Sequence, residues 1–176
     1  MIILTASLQQ SLLICRSGTT TTNLRTMQRT PLTGIYTGLA IIVYLLVFYF
    51  IDRSLIVNPF VYWGTLLVAV IGMASAVKRV RSAQGEKIEK KEALKAAFLV
   101  YVIAMAFFYV FFFAMLRYID PSLTALQKAA MEKAGQDTSQ IDFTMTIGKT
   151  ISGYVISLIG GFLVSYLLAS IMKRDH

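Results

Sequence analysis

Four long apolar segments constrain the fold of this chain more than any other feature of its sequence. They cover residues 34–51, 60–77, 96–116 and 151–172, and none contains Asp, Glu, Lys, Arg or His. About 17–25 helical residues are needed to cross the hydrocarbon core of a bilayer, and each segment has at least 18. We therefore predict four transmembrane segments.

The segments are predicted to be helices. Lipid offers the backbone no hydrogen-bond partners, so spanning segments are helices or closed barrels, and barrel strands alternate apolar and polar residues. The four segments neither alternate in this way nor show the polar face of a helix in a soluble bundle. The predicted fold class is all-α: a polytopic membrane protein with four transmembrane helices in an antiparallel bundle, formed by residues 27–176.

The composition excludes several functional classes. The net charge is +8, but 56% of the residues are hydrophobic and only 15% are charged, against about 25% charged in ordinary soluble domains. This balance argues against a nucleic-acid-binding protein. With one cysteine, Cys15, and one histidine, His176, the chain lacks material for a disulfide framework or a thiolate zinc site. HExxH, GxSxG, P-loop and CxxC motifs are absent from the sequence, so we expect no cofactor and no enzymatic activity.

The distribution of Lys and Arg predicts the orientation. Twelve of these residues lie before the first segment, between the second and third, or after the fourth, and five lie in the other connections. By the positive-inside rule, we expect a multi-pass membrane protein with both termini in the cytoplasm. Seven of the twelve form a basic cluster that could bind anionic lipid or an acidic protein, or only set the orientation. The basic cluster consists of Lys78, Arg79, Arg81, Lys87, Lys90, Lys91 and Lys95.

The outer connection between the third and fourth segments, residues 117–149, is the longest region that the predicted topology places outside the membrane. Asp120 and Pro121 are typical of a helix start, and Gly135 of a helix end. We expect a short amphipathic helix between them, lying on the membrane surface. Residues 1–26 do not read as a signal peptide, and we interpret them as a disordered leader or a misassigned start before Met27.

Small residues recur at every fourth position of the last segment. In lipid, such a series lets two helix backbones approach closely. It indicates either packing within one bundle or contact with a second copy or a larger membrane complex. This small-residue series consists of Gly153, Ser157, Gly161, Ser165 and Ala169.

Three functions are compatible with these features. The leading hypothesis is a non-catalytic accessory or interaction protein of a membrane complex. An oligomeric pore could be lined by Ser157, Ser165, Tyr154 and Tyr166, and a lipid-modifying enzyme could use Asp52 and Asp120 near the outer face.

Several short motifs follow one another along the chain. They are the basic exit of the second segment, residues 92–95 (EALK), residues 118–121 (YIDP), a polar helical insert and a Gly/Ser-rich last helix with a Lys-Arg exit. In these motifs, residues 27–174 resemble a bacterial membrane family known as domain of unknown function 4199, seen chiefly in Bacteroidota. The resemblance implies a four-helix inner-membrane protein and supplies no catalytic or binding residues.

Overall fold

The computed structural model of the protein describes residues 30–83, 88–139 and 141–172. Residues 1–26, Lys87 and the basic residues after Met172, for which we made predictions, lie outside the described residues. The described chain is helical and contains no strand, which confirms the all-α class. Its five α-helices are α1 (Thr30–Ile51), α2 (Pro59–Ala83), α3 (Lys90–Ala114), α4 (Ser122–Lys133) and α5 (Ile147–Met172).

Four helical stretches are long and apolar enough to cross a membrane, as predicted. They are α1, α2, α5 and the continuous stretch Lys90–Ile119, which joins α3 to a following π-helical turn. Their mean hydropathy lies between 1.9 and 2.5. The helices extend beyond the apolar segments: α2 continues past Val77 to Ala83, and α5 begins at Ile147. Backbone hydrogen bonds do not depend on side-chain polarity, so a helix can continue into the headgroup region.

Helix α1 packs closely against α2 and α3. A Cβ atom added at Gly72 of α2 would lie 2.9 Å from Cβ of Thr37, and one at Gly38 of α1 would lie 2.8 Å from Cβ of Phe107. The absence of a side chain at these glycines lets the backbones approach, as small residues commonly do between membrane helices. Helix α1 runs antiparallel to α2 and parallel to α3.

Helix α3 occupies the centre of the bundle and α5 its edge. In the most apolar window of each, 39% of the α3 residues are buried but only 17% of the α5 residues. One side of α5 packs on α3, and the other presents large apolar side chains such as Ile156 and Leu163, which are 67% and 59% exposed. A surface of this kind suits lipid, so the four helices fit a membrane environment.

Candidate functional site

Three tyrosine hydroxyls connect α3 to α5 through backbone carbonyl groups. The α5 acceptors belong to residues of the small-residue series, and one tyrosine of α5 donates in the opposite direction. Every buried side-chain nitrogen and oxygen of the described residues has a hydrogen-bond partner. The three bonds run from Tyr101 to Ser157 (3.1 Å), from Tyr109 to Gly153 (2.9 Å) and from Tyr154 to Val102 (3.0 Å).

The small-residue series faces α3 within the same chain. Gly161, Ser165 and Ala169 are buried, and a Cβ atom at Gly161 would overlap the ring of Tyr101. The hydroxyl of Ser165 donates to the carbonyl of Gly161 at 2.7 Å and also lies 3.4 Å from the sulfur of Met73 on α2. The series therefore lies where α5 meets its own bundle, and a contact with a second copy through it stays a prediction.

Three of the four hydroxyl groups predicted to line a pore are engaged inside the bundle. Ser157 donates to the carbonyl of Tyr154 at 2.7 Å, and Ser165 and Tyr154 donate to the carbonyls already described. The ring of Tyr166 lies 3.9 Å beneath the ammonium group of Lys90, a cation–π contact. The hydroxyl protons of Ser157, Ser165 and Tyr154 are therefore already donated to backbone carbonyls.

The basic cluster is divided between the end of α2 and the start of α3. Lys91 and Lys95 are exposed on α3, and Lys90 contacts Tyr166 near the end of α5. On α2, the guanidinium of Arg79 donates to the hydroxyl of Thr33 on α1 at 3.4 Å. Thr30 and Met172, where the described chain begins and ends, lie at this same end of the bundle, which we call the basic end.

A cavity of about 720 Å³ opens between α1 and α2 at the basic end. It brings together Lys78 and Arg79 with three hydroxyl residues, and we call it the basic cavity. The sequence reasoning missed the hydroxyl residues because they belong to a different helix or carry no charge. The basic cavity is lined by Thr30, Thr33, Ala76, Lys78, Arg79, Val80, Ser82 and Ala83.

The opposite end of the bundle is organised around the carboxylate of Asp120, whose side chain is 9% exposed. The Tyr49 hydroxyl donates to Oδ2 at 3.0 Å, the Arg53 guanidinium lies 3.6 Å from the same oxygen, and both the hydroxyl and the N–H of Ser122 donate to Oδ1. The Ser122 hydroxyl, followed by Tyr49 and Arg53, holds the pKa of Asp120 below its ordinary value. These four residues form the Asp120 cluster.

A π-helical turn, Met115–Ile119, delivers Asp120 to this position. The N–H of Asp120 donates to the carbonyl of Met115, five residues earlier, at 2.8 Å. Such widened turns occur frequently at functional sites. Helix α4 follows at Ser122 and packs against a 3₁₀-helix, Arg53–Val57, with Leu123 fully buried. The apolar face of α4 is thus partly covered by protein.

A second cavity, of about 390 Å³, is bounded by α4, by the end of the π-helical turn and by residues 143–145, and we call it the α4 pocket. Arg117 at its edge forms no ion pair with the described residues, whereas Lys128 lies 3.8 Å from Glu132. Apolar and cationic groups share the lining, so the pocket suits an amphipathic group with a negative charge. The α4 pocket is lined by Leu116, Arg117, Pro121, Thr124, Ala125, Lys128, Phe143, Thr144 and Met145.

The two carboxylates considered for catalysis belong to separate hydrogen-bond sets. Asp52 accepts from the N–H of Ser54 at 2.8 Å and begins the 3₁₀-helix, and this hydrogen bond lowers the pKa of Asp52. Asp120 is held in the cluster described above. In the described parts of the chain, no three His, Cys, Asp or Glu side chains lie close enough together to hold a metal ion.

The packed apolar helices with charged groups at their ends fit the class of multi-pass α-helical membrane proteins. Within that class, the chain belongs to the family described as "Protein of unknown function (DUF4199)", which matches residues 32–174. The predicted family is therefore confirmed. No curated protein and no solved structure shows significant similarity to the chain.

Proposed function

We propose that this protein is a non-catalytic accessory or interaction protein of a membrane complex, and that it contacts its partner through α4 and the α4 pocket. The observation that carries this proposal is the fixed position of α4. The Asp120 cluster and the buried Leu123 attach the start of the helix to α1 and to the 3₁₀-helix. A rigid surface binds at a lower entropic cost than a loop that must be ordered first.

The α4 pocket supplies an anchoring place on this surface. Its volume of about 390 Å³ lies within the range of ordinary ligand pockets, roughly 300–1,000 Å³. Arg117 and Lys128 favour an acidic or carboxyl-bearing group of the partner, and Phe143 and Met145 favour an apolar one. Interfaces commonly combine a few such anchors with a polar rim.

Partner contact through the small-residue series is less favourable. A second helix could reach Gly161 and Ser165 only by displacing the ring of Tyr101 and the packing of α3. The same contacts weigh against a pore along α5, because the hydroxyls of Ser157, Ser165 and Tyr154 already have partners. Asp52 and Asp120 are likewise engaged in holding the backbone.

We further propose that the protein resides in a bacterial inner membrane with both termini in the cytoplasm. The support is the position of the basic residues: the described parts of the basic cluster share one end of the bundle with Thr30 and Met172. The α4 surface would then face the outer side.

A photocrosslinking experiment tests the α4 surface. A photoreactive phenylalanine analogue is introduced at Ala125, which lines the pocket, or at Ile159, which is 65% exposed on α5. We expect one discrete protein adduct from Ala125 in native membranes, and the same partner to copurify in mild detergent. Absence of a protein adduct at Ala125, or identical adducts at both positions, would contradict the proposal.

A further inference from the structure

We propose that the basic cavity binds the phosphate group of an anionic phospholipid, with the headgroup held between α1 and α2. This site lies at the opposite end of the bundle from the α4 surface, so the inference goes beyond the proposed function and stands independently of it.

The charge of the basic cavity selects an anion. Lys78 and Arg79 both line it, and none of its described lining residues is acidic. Lys78 forms no ion pair with the described residues. The guanidinium of Arg79 lies 3.4 Å from the hydroxyl of Thr33, so it reaches from α2 toward α1 across the cavity that both residues line. A guanidinium and an ammonium beside hydroxyl groups form a typical phosphate-binding set.

The backbone geometry gives the cavity a closed inner side. Helices α1 and α2 approach closely at Thr37 and Gly72, where no room remains for a further atom. Toward the basic end, Thr33 and Arg79 follow this contact along the two helices. Between these levels lies Ala76, a small residue that is 2% exposed and lines the cavity. A ligand therefore enters from the basic end and stops at Ala76.

The location favours a lipid over a soluble phosphate. The cavity lies at the end of two helices that are long and apolar enough to cross a membrane. On α1, the neighbours of the cavity residue Thr33 include Leu32 and Tyr36, which are 49% and 65% exposed. Acyl chains could lie along these side chains while the headgroup occupies the cavity. The volume of about 720 Å³ is ample for a glycerophosphate headgroup.

Native mass spectrometry of the full chain, purified in detergent, tests the site with phosphatidylglycerol as the probe. Two double variants are compared, Lys78→Ala with Arg79→Ala and Lys91→Ala with Lys95→Ala. Both remove two positive charges from the basic end, but only the first pair lines the cavity. Each basic residue is expected to contribute about fivefold, so the cavity variant should bind the lipid about 25-fold more weakly.

The control variant is expected to remain within about threefold of the wild type at 0.15 M salt, because Lys91 and Lys95 are exposed, do not line the cavity and are screened by salt. Equal losses in both double variants would overturn the proposal, because they would indicate diffuse attraction rather than a site. A third variant, Ser82→Trp, places a bulky side chain at an exposed lining position without changing the charge. It should weaken binding while leaving thermal stability unchanged, and undiminished binding would count against the cavity.

Two further probes distinguish the source of the phosphate. Phosphatidylcholine tests whether net negative charge is needed, and sn-glycerol 3-phosphate tests whether the acyl chains are needed. We expect both to bind at least about tenfold more weakly than phosphatidylglycerol. Equal binding of phosphatidylcholine would overturn the anionic preference, and equal binding of glycerol phosphate would overturn the lipid assignment.

Discussion

At the scale of single residues, Asp120 connects three separate parts of the chain. Its carboxylate accepts from Tyr49 at the end of α1 and from Ser122 at the start of α4, and it lies near Arg53 of the 3₁₀-helix. Arg53 is 67% exposed, so this ion pair contributes little by itself. The hydrogen bonds are the stronger links because the carboxylate side chain is almost entirely removed from solvent.

Replacing Asp120 by Asn should lower the stability of the protein in a pH-dependent way. The pKa of Asp120 is about 3.8 in the unfolded chain and lower in the folded protein. The ionised carboxylate therefore stabilises the fold at pH values above 3.8, and this stabilisation is lost as the pH falls through the lowered pKa. We expect the Tm of Asp120→Asn in detergent to lie below that of the wild type at pH 7. The difference should shrink below about pH 4. A difference that stays constant from neutral to acidic pH would contradict the assigned charge.

The tyrosine hydroxyls between α3 and α5 allow a second test at this scale. Tyr109→Phe removes the bond to the carbonyl of Gly153 and leaves the ring in place. We expect a loss of about 0.6–2 kcal/mol in the free energy of unfolding, the usual contribution of a hydrogen bond between membrane helices. Tyr36→Phe is the control, because Tyr36 is 65% exposed and forms no hydrogen bond with the described residues. Equal effects of the two variants on denaturant unfolding would show that the bond is immaterial.

At the scale of helices, one face of α5 is packed against α3, whereas the adjacent face of α5 meets no other helix at Gly160. Gly160 and Gly161 are adjacent in sequence but project in different directions. A Cβ atom at Gly160 would meet nothing within 4 Å, whereas one at Gly161 would overlap Tyr101. The pair therefore separates the intrinsic effect of replacing a helical glycine from the effect of crowding α3.

Gly161→Ala should destabilise the protein, and Gly160→Ala should not. In the first variant the new methyl group forces α3 and α5 apart or displaces Tyr101, with an expected cost of about 1–3 kcal/mol. In the second, the methyl group enters open space and removes the flexibility of glycine, so stability should stay equal or rise slightly. Thermal unfolding in one detergent measures both variants, and a common decrease would refute the assigned orientation of α5.

The sequence predicted the helices well but not the contacts between them. The membrane spans could be located because hydropathy alone distinguishes segments that lie in lipid from segments that lie in water. The packing partners of each helix could not be predicted. The face of α5 that meets α3, for example, depends on residues more than fifty positions apart, such as Tyr101 and Ser157. The start of α5 likewise depends on local contacts: Thr146 caps the helix by accepting from the N–H of Lys149 at 3.3 Å, while Asp142 pairs with the Lys149 ammonium.

The residues of the basic cavity were predicted in part. Counting charges identified Lys78 and Arg79, because Lys and Arg are conspicuous beside apolar segments. The basic cavity itself was missed, since it forms only when α1 brings Thr33 beside α2. The π-helical turn was missed as well, because the residues from Met115 to Ile119 carry no helix-breaking glycine or proline.

At the scale of the whole molecule, the two ends of the bundle differ in character. The basic end carries the cavity between α1 and α2, and the other end carries the Asp120 cluster and the α4 pocket. Our proposal that the basic end faces the cytoplasm rests on the positive-inside rule.

Cysteine labelling in whole cells tests this assignment. In a Cys15→Ser background, Ser82→Cys lies at the basic end and Ala134→Cys follows α4, and both positions are exposed or partly exposed. We expect a membrane-impermeant maleimide to label the cysteine at position 134 in intact cells, and that at position 82 only after lysis. The reverse pattern would invert the orientation, and labelling of both before lysis would contradict the single crossing by α3 that separates the two positions.

The bonds from tyrosine hydroxyls to main-chain carbonyls have a consequence for mutational tolerance. An acceptor that belongs to the backbone is present whatever side chain stands at that position, so substituting Val102 or Ser157 does not remove it. The donor hydroxyl, in contrast, is removed when the tyrosine is replaced. These three hydrogen bonds therefore depend on the identity of Tyr101, Tyr109 and Tyr154 and not on the side chain type of the acceptor residues.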